Sequence, residues 1–569
     1  MPTRQEMWDR LGGHVDVLVI GGGINGAGIA RDAARRGLKV ALVEMQDLAS
    51  GTSSRSSKLV HGGLRYLEQG EFSLVFEAVS ERRILMDIAP HLVNPLGFLF
   101  PVYKGGRRNL TTITAGMALY EGLSLFRSPQ RYRKLKPSSV AEEEPTLRQE
   151  GLKGAPLYYD CSTDDARLTL ESALQAADTG AVVATWTRAT AFERDEAGRL
   201  VSVTVQDAFS GETKVVQASA VINATGPWTD RTIELSGVDD AADLLRPTKG
   251  VHVVVSRDRL PVNHAVVCFH PRDGRVLFAI PWGDCTYVGT TDTDFDGDPA
   301  HVHADRADVD YLLETLAHYF PECQVAHADV HCTWAGLRPL MRPTEKAGKE
   351  MDESAVSREH RIVVGEDGLI TIAGGKLTTY RLMSKEVVDT AVKLLRLRGD
   401  VPRKLNEPRT EEEPLPGGVN WPADDDHGRV AEQVLDVGGG RIAADTAQLL
   451  ANTYGMRSME VARLCRQDAT LAERIVPERP EIFAQVDYAV HEELAARVTD
   501  VLKNRTQLYY RHHDQALGAV DAVAARMQTL LGWTDEQREG SAKDYRREVE
   551  ASRAWQHERA PEASEPEAD

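Results

Sequence analysis

Between Val15 and Glu44 the apolar positions change period twice. Val15–Ile20 is a continuous apolar run, the next stretch repeats apolar residues every three to four positions, and a second run closes on Glu44. That order predicts a buried strand, a helix and a second strand. Further along, Phe72–Ala89 has helical spacing, Ala181–Thr187 reads as a strand, and Val201–Val205 with Lys214–Gln217 reads as a hairpin. Ala220–Asn223 and Ile370–Ala373 are apolar strands that each run into a glycine turn. Between them, His252–Val255, Ala265–Phe269, Val276–Ile280 and Thr286–Gly289 predict an antiparallel sheet. The last third changes character: Thr446–Tyr454, Ser458–Cys465, Ile482–Leu502 and Asp514–Leu531 all carry helical periodicity.

These blocks divide the 569 residues into a nucleotide-binding domain built from 14–90, 156–245 and 346–398, a helical basic insertion at 91–155 and a substrate domain at 246–345. A Pro- and acid-rich linker at 399–428, a helical domain at 429–550 and a disordered tail at 551–569 complete the expected order. Met1–Gly13 is polar, so no secretory leader is expected, and no apolar run approaches the ~20 residues that span a bilayer.

Charge narrows the function. With 67 Lys and Arg against 86 Asp and Glu, the formal charge of -19 argues against general nucleic-acid binding and means that an anionic substrate needs a locally basic pocket. Val102–Ser139 reverses the local sign, carrying Lys104, Arg107, Arg108, Arg127, Arg131, Arg133, Lys134 and Lys136 against Glu121 alone. The apolar stretch Leu110–Phe126 lies among these charges. It is either a core helix with a solvated flank or a segment that meets anionic lipid through Leu119, Leu123 and Phe126. The six cysteines are scattered without metal-ligand spacing, so a reducing compartment and no metal site are expected.

The candidate chemistry starts at Gly21, Gly23 and Gly26, which form G-x-G-x-x-G straight after the first strand. Such glycines permit a tight turn and let backbone N–H groups approach a pyrophosphate at a helix N-terminus, where Ile24 and Asn25 sit; Glu44 is placed to accept from an adenosine ribose. Thr52–Leu67, TSSRSSKLVHGGLRYL, offers Ser53, Ser54, Ser57 and Lys58 to a phosphorylated cofactor, with Gly62 and Gly63 for close backbone approach. Ala224, Thr225 and Gly226, and then Gly375, Lys376, Leu377 and Thr378, follow the other two strands, so that three distant turns can converge on one ligand. Arg65, Arg338 and Lys376 supply cations at the ends of ordered elements and suit a phosphate or carboxylate.

The strings GGGINGAGIARDAARRGL, TSSRSSKLVHGGLRYLE, DDARL, NATGPW, GTTDTD, GLRPL and GGKLTTYR resemble the FAD-dependent, respiratory glycerol-3-phosphate dehydrogenases, over about Asp16 to Leu508. His491 stands where that pattern expects Arg. The resemblance implies an α/β composite: a Rossmann-type FAD domain of the glycine-oxidase-like class, an antiparallel-sheet substrate domain and a C-terminal helical domain. It implies FAD as cofactor, with Ala189 joining the residues above, and oxidation of glycerol 3-phosphate with electrons passed to a membrane quinone. Arg65, Arg338 and Lys376 would then hold the phosphate, with Tyr66 and Thr379 positioning the substrate, and His252 would take the hydroxyl proton. The expected location is cytoplasmic or peripheral on the cytoplasmic membrane face, and a homodimer is one option for its assembly. Three alternatives stay open: a glycerol-3-phosphate oxidase that reduces dioxygen, an amine or amino-acid oxidase, and a flavin-binding sensor.

Overall fold

The computed structural model describes residues 2–63, 71–106, 109–123, 129–237, 244–342, 360–400 and 404–558. The predicted first unit forms as strand Gly13–Ile20, helix Ile24–Arg35 and strand Val40–Val43. Both strands are buried along the sheet, and the helix covers it through Ala27, Ile29, Ala30, Ala33 and Ala34, whose small side chains allow close packing. Strands 370–374, 213–223, 13–20, 40–43 and 182–184 lie side by side and parallel, with 360–364 antiparallel at one edge. The predicted hairpin is Leu200–Asp207 with Thr213–Asn223, and the second of these strands includes the separately predicted Ala220–Asn223.

A second sheet carries the four predicted antiparallel strands, now Leu245–Ser256, Ala265–Phe269, Val276–Trp282 and Cys285–Gly289, with Val330–Met341 paired along Leu245–Ser256. The sheet extends into the segment read as a helical insertion. Asn94–Leu99 pairs parallel with Ala265–Phe269 and antiparallel with Leu152–Ser162, which also takes up Arg133–Leu135. Residues 91–155 are therefore tied into this sheet by strands near both ends, with helices Leu110–Leu123 and Pro137–Glu143 between them. Helix Leu110–Leu123 packs on it through Ile113, Met117 and Tyr120.

Three further expectations change. Ile482–Leu502 is not one helix: Phe483–Glu492 ends before Leu494, whose φ of 61° leaves the helical region, and a separate π turn spans Asp500–Arg505. The expected linker is packed against the first domain, with Arg31 donating to the carbonyls of Thr410 (3.1 Å) and Glu413 (2.8 Å) and Leu415 buried. The expected disorder does not begin at 551, because helix Asp535–Arg553 runs into a short turn that buries Trp555 in the core of the second sheet. No helix among the described residues is long and apolar enough to cross a membrane.

Candidate active site

Three strand ends meet at one place. Ile20 stands opposite Asn223 and Asn223 opposite Thr371 on adjacent parallel strands, so the chain leaves the same edge of the sheet into three glycine turns. Ligands of open α/β sheets bind at this carboxyl edge. Here the turns, with Glu44–Gln46 and Ser50–Ser53, enclose a cavity of about 520 Å³. Of the predicted residues, Gly21, Gly23, Ile24, Asn25, Glu44, Ser53, Ala189, Ala224, Thr225, Gly226, Gly375, Lys376 and Leu377 line it.

The local geometry fits a dinucleotide. Gly21 has φ 107°, and a Cβ there would lie 2.6 Å from the Ala224 carbonyl oxygen, so glycine is required. The helix that starts at Ile24 turns its positive dipole end toward the cavity, and the Ile24 N–H is steadied by Ser53 Oγ at 2.9 Å. Glu44 Oε2 accepts from the Gly22 N–H (2.6 Å) and Oε1 from the Gln46 N–H (2.8 Å). Each oxygen retains acceptor capacity for a ribose hydroxyl. Burial pushes the Glu44 carboxyl upward, against the pull of those N–H donors.

Other predicted residues support this lining from behind. A Cβ on Gly26 would sit 1.8 Å from the Gly21 carbonyl oxygen, so Gly26 packs the helix onto its own turn. Lys58 is buried, with Nζ 2.6 Å from Asp165 Oδ1 and 3.2 Å from the Ser54 carbonyl, and it faces the rings of Trp282, Trp334 and Tyr510. It is a structural cation of the loop and does not line the cavity. Ser54 is buried beside it. Gly62 gives its N–H to Tyr120 Oη (3.0 Å) and Asp160 Oδ1 (3.3 Å), and Gly63 turns the chain with φ 72°. Thr378 Oγ1 accepts from the His61 N–H (3.1 Å), joining the serine loop to the Gly-Gly-Lys turn. Thr379, also buried, donates to the Lys376 carbonyl at 3.4 Å.

Arg338 lies on the strand paired with Leu245–Ser256, one residue before the cavity-lining Pro339. Its Nη1 meets Asp292 Oδ1 at 2.8 Å, and its Nη2 donates to Thr290 Oγ1 and the Thr291 carbonyl, both at 3.1 Å. His252 is buried against Trp334, ring centroids 4.6 Å apart, with Nε2 2.9 Å from Ser57 Oγ. Burial first, then the charges of Arg338 and Lys58, holds its imidazole well below the usual 6.5. Arg65 and Tyr66 lie outside the described residues.

Several residues that line or brace the cavity escaped the sequence reading. Trp228, Arg188, Arg231 and Pro339 line the cavity. Thr52 Oγ1 donates to the Leu337 carbonyl at 2.6 Å, which ties the serine loop to the second sheet. Asp165, in the DDARL string, accepts from Lys58 and from Ser56 Oγ at 2.7 Å. Trp228, Thr52, Asp165 and Pro339 fall within the strings NATGPW, TSSRSSKLVHGGLRYLE, DDARL and GLRPL, whereas Arg188 and Arg231 carry no such signal.

Comparison with known proteins places this geometry. A family model described as FAD dependent oxidoreductase matches residues 16–381, and one for the C-terminal domain of alpha-glycerophosphate oxidase matches 408–538. The aerobic glycerol-3-phosphate dehydrogenase of Staphylococcus saprophyticus is 38% identical over 548 residues, 96% of each chain. The protein of the same description from Staphylococcus epidermidis is 39% identical over 541 residues, 94% of each. The chain belongs to the FAD-dependent glycerol-3-phosphate dehydrogenase family. A crystal structure of the glycerol-3-phosphate dehydrogenase from Bacillus halodurans complexed with FAD superposes with a TM-score of 0.79 at 32% identity, covering 96% of this chain and 97% of that one. The L-alpha-glycerophosphate oxidase of Mycoplasma pneumoniae shares the fold at 18% identity, with a TM-score of 0.51 over 70% of this chain and 98% of its own. The cofactor of this dehydrogenase family member is FAD, and the Gly21 turn, the helix start and Glu44 are the features that fit its pyrophosphate and ribose.

Proposed function

We propose that the enzyme oxidises sn-glycerol 3-phosphate at carbon 2 to dihydroxyacetone phosphate and delivers the electrons to a membrane quinone. The observation that carries this reading is similarity to aerobic glycerol-3-phosphate dehydrogenases along nearly the whole chain. Bound FAD supplies the hydride acceptor. Lys376 and Arg338 bind the phosphate, and Arg65 and Tyr66, outside the described residues, are proposed to join them. Their role is orientation, since holding carbon 2 in one pose removes much of the entropic barrier to hydride transfer. Thr379 fixes the turn that carries Lys376. His252, kept neutral by its surroundings, accepts the hydroxyl proton, and Ser57 orients its ring.

Electron delivery to a quinone requires a membrane surface. Phe72 and Phe76, one turn apart on helix Phe72–Ile88, are 49% and 46% exposed, and Leu119 on the adjoining helix is 46% exposed. Leu123 is partly covered by the core, and Phe126 lies outside the described residues. Lys104, Arg131, Arg133, Lys134 and Lys136 are exposed. Exposed apolar residues together with exposed basic ones would suit peripheral attachment to anionic lipid on the cytoplasmic face. Aerobic turnover with vesicles that hold a quinone tests the acceptor. One quinone reduced per glycerol 3-phosphate without peroxide supports the dehydrogenase, whereas stoichiometric hydrogen peroxide and no quinone reduction identify the oxidase that the C-terminal family match also allows. Phe72→Ser/Phe76→Ser/Leu119→Ser should weaken vesicle binding and quinone reduction while sparing a soluble dye assay. Unchanged binding would remove this surface from the account.

A further inference from the structure

Outside the cavity, the helical domain brings Glu478, His512 and His513 together. Glu478 precedes helix Phe483–Glu492, and the two histidines follow the short helix Leu508–Arg511. One carboxylate oxygen and one nitrogen from each imidazole all lie within 4.8 Å of one another. A tetrahedral ion with bonds of about 2.0–2.1 Å needs ligand atoms about 3.3 Å apart, so small side-chain movements suffice. Glu478 Oε1 and His512 Nε2, 2.9 Å apart, need only separate slightly.

Asp514 adds an independent feature. Its Oδ1 hydrogen-bonds His512 Nδ1 while Oδ2 accepts from the Gly518 N–H at 3.2 Å. With an ion bound, a proton held on Nδ1 by Asp514 would leave the Nε2 lone pair to the metal, the carboxylate–histidine–metal order that orients metal ligands. The His512 side chain is 6% exposed and fixed, whereas Glu478 and His513 are open to solvent, so an ion can enter. The neighbouring cations are matched: Arg511 pairs with Asp284 at 2.8 Å, and Arg479 pairs with Asp284 and Glu481.

An imidazolium held between Glu478 and Asp514 would explain His512 alone. It leaves out His513, whose ring lies 4.3 Å from that of His512 and completes a donor set of two nitrogens and one oxygen. Nitrogen-rich sets of this kind select zinc-class ions over calcium or magnesium.

We propose that Glu478, His512 and His513, oriented by Asp514, form a binding site for a divalent transition ion of the zinc class, with a remaining position open to water. The ion would clamp the turn at Glu478 to a segment 34 residues later.

The test uses the full-length FAD-loaded enzyme after chelation, titrated with Zn²⁺ by calorimetry and with Co²⁺ by visible absorption. One saturable site with a dissociation constant on the order of 10 μM and a thermal midpoint that rises with ion concentration is expected. Glu478→Gln and His513→Ala, both exposed positions, should each weaken binding at least tenfold, and Asp514→Asn by about 10–100-fold. Dye-linked activity in chelator should stay unchanged in all three, which separates this site from the catalytic reading. Absence of saturable binding up to about 1 mM, or equal affinity in wild type and the Glu478→Gln/His513→Ala variant, would reduce the cluster to an ion pair.

Discussion

Arg505 grips Asp47 with both terminal nitrogens, Nη1 to Oδ2 at 2.8 Å and Nη2 to Oδ1 at 2.9 Å, although 458 positions separate them. Both side chains are buried, and Arg505 also donates to the Glu493 carbonyl at 2.7 Å. Asp47 follows Gln46, which lines the FAD cavity, so the helical domain holds one wall of the cofactor site. Arg505→Met leaves the buried Asp47 carboxylate with the neutral donor Asn504 Nδ2 but no opposite charge, and should cost about 3–5 kcal/mol of stability. The exposed pair Arg429–Asp424 supplies the control, because Arg429→Met should change stability by less than about 1 kcal/mol. Denaturant unfolding and FAD retention measure both, and similar effects of the two substitutions would contradict the clamp.

Gly23 sits at the start of the pyrophosphate-facing helix, and a Cβ there already comes within 3.1 Å of Ser53 Oγ. Gly23→Val adds two methyl groups in the cavity lining and should yield colourless protein that keeps its fold. Flavin absorbance per chain with far-ultraviolet circular dichroism checks this. Retention of FAD at wild-type affinity would misplace the nucleotide.

The first strand, turn and helix were legible because their signals are local: an unbroken apolar run, glycines at fixed spacing and an acid at the end of the next strand. Charge partners were not legible. Lys58 resembles a phosphate ligand beside a glycine pair until Asp165, 107 residues away, neutralises it. Segment 91–155 read as an insertion because Asn94–Leu99 is short, and its neighbours, Ala265–Phe269 and Leu152–Ser162, are remote in sequence. The break after Glu492 had helical periodicity on both sides. There the Glu493 carboxylate binds the Arg167 side chain, a tertiary contact that overrides local preference. Trp555, an aromatic residue in a charged stretch, was a readable sign that order continued beyond 551.

His252 gives a pH signature. Its imidazole is held well below 6.5, so a base in this position stays neutral through the range where an exposed histidine titrates. Single-turnover flavin reduction should therefore be level between about pH 8 and 6.5 and decline only at lower pH, and His252→Asn should slow it by about 100-fold or more while FAD stays bound. The same depression affects stability. Below the unfolded value of about 6.5 the unfolded chain binds more protons, so this group's contribution is complete above that pH and is lost as pH falls toward the folded value. A wild-type reduction rate halved above pH 6.5, or an unchanged rate in His252→Asn, would return the residue to a packing role.

Anaerobic mixing of the purified enzyme with glycerol 3-phosphate, followed at the oxidised-flavin absorption band, tests whether this flavin oxidises glycerol 3-phosphate. Glycerol 3-phosphate should bleach the band completely, with one dihydroxyacetone phosphate formed per flavin, while glycerol at the same concentration leaves it essentially unchanged. A flavin that stays oxidised with glycerol 3-phosphate, or one that glycerol bleaches equally fast, would contradict this reading.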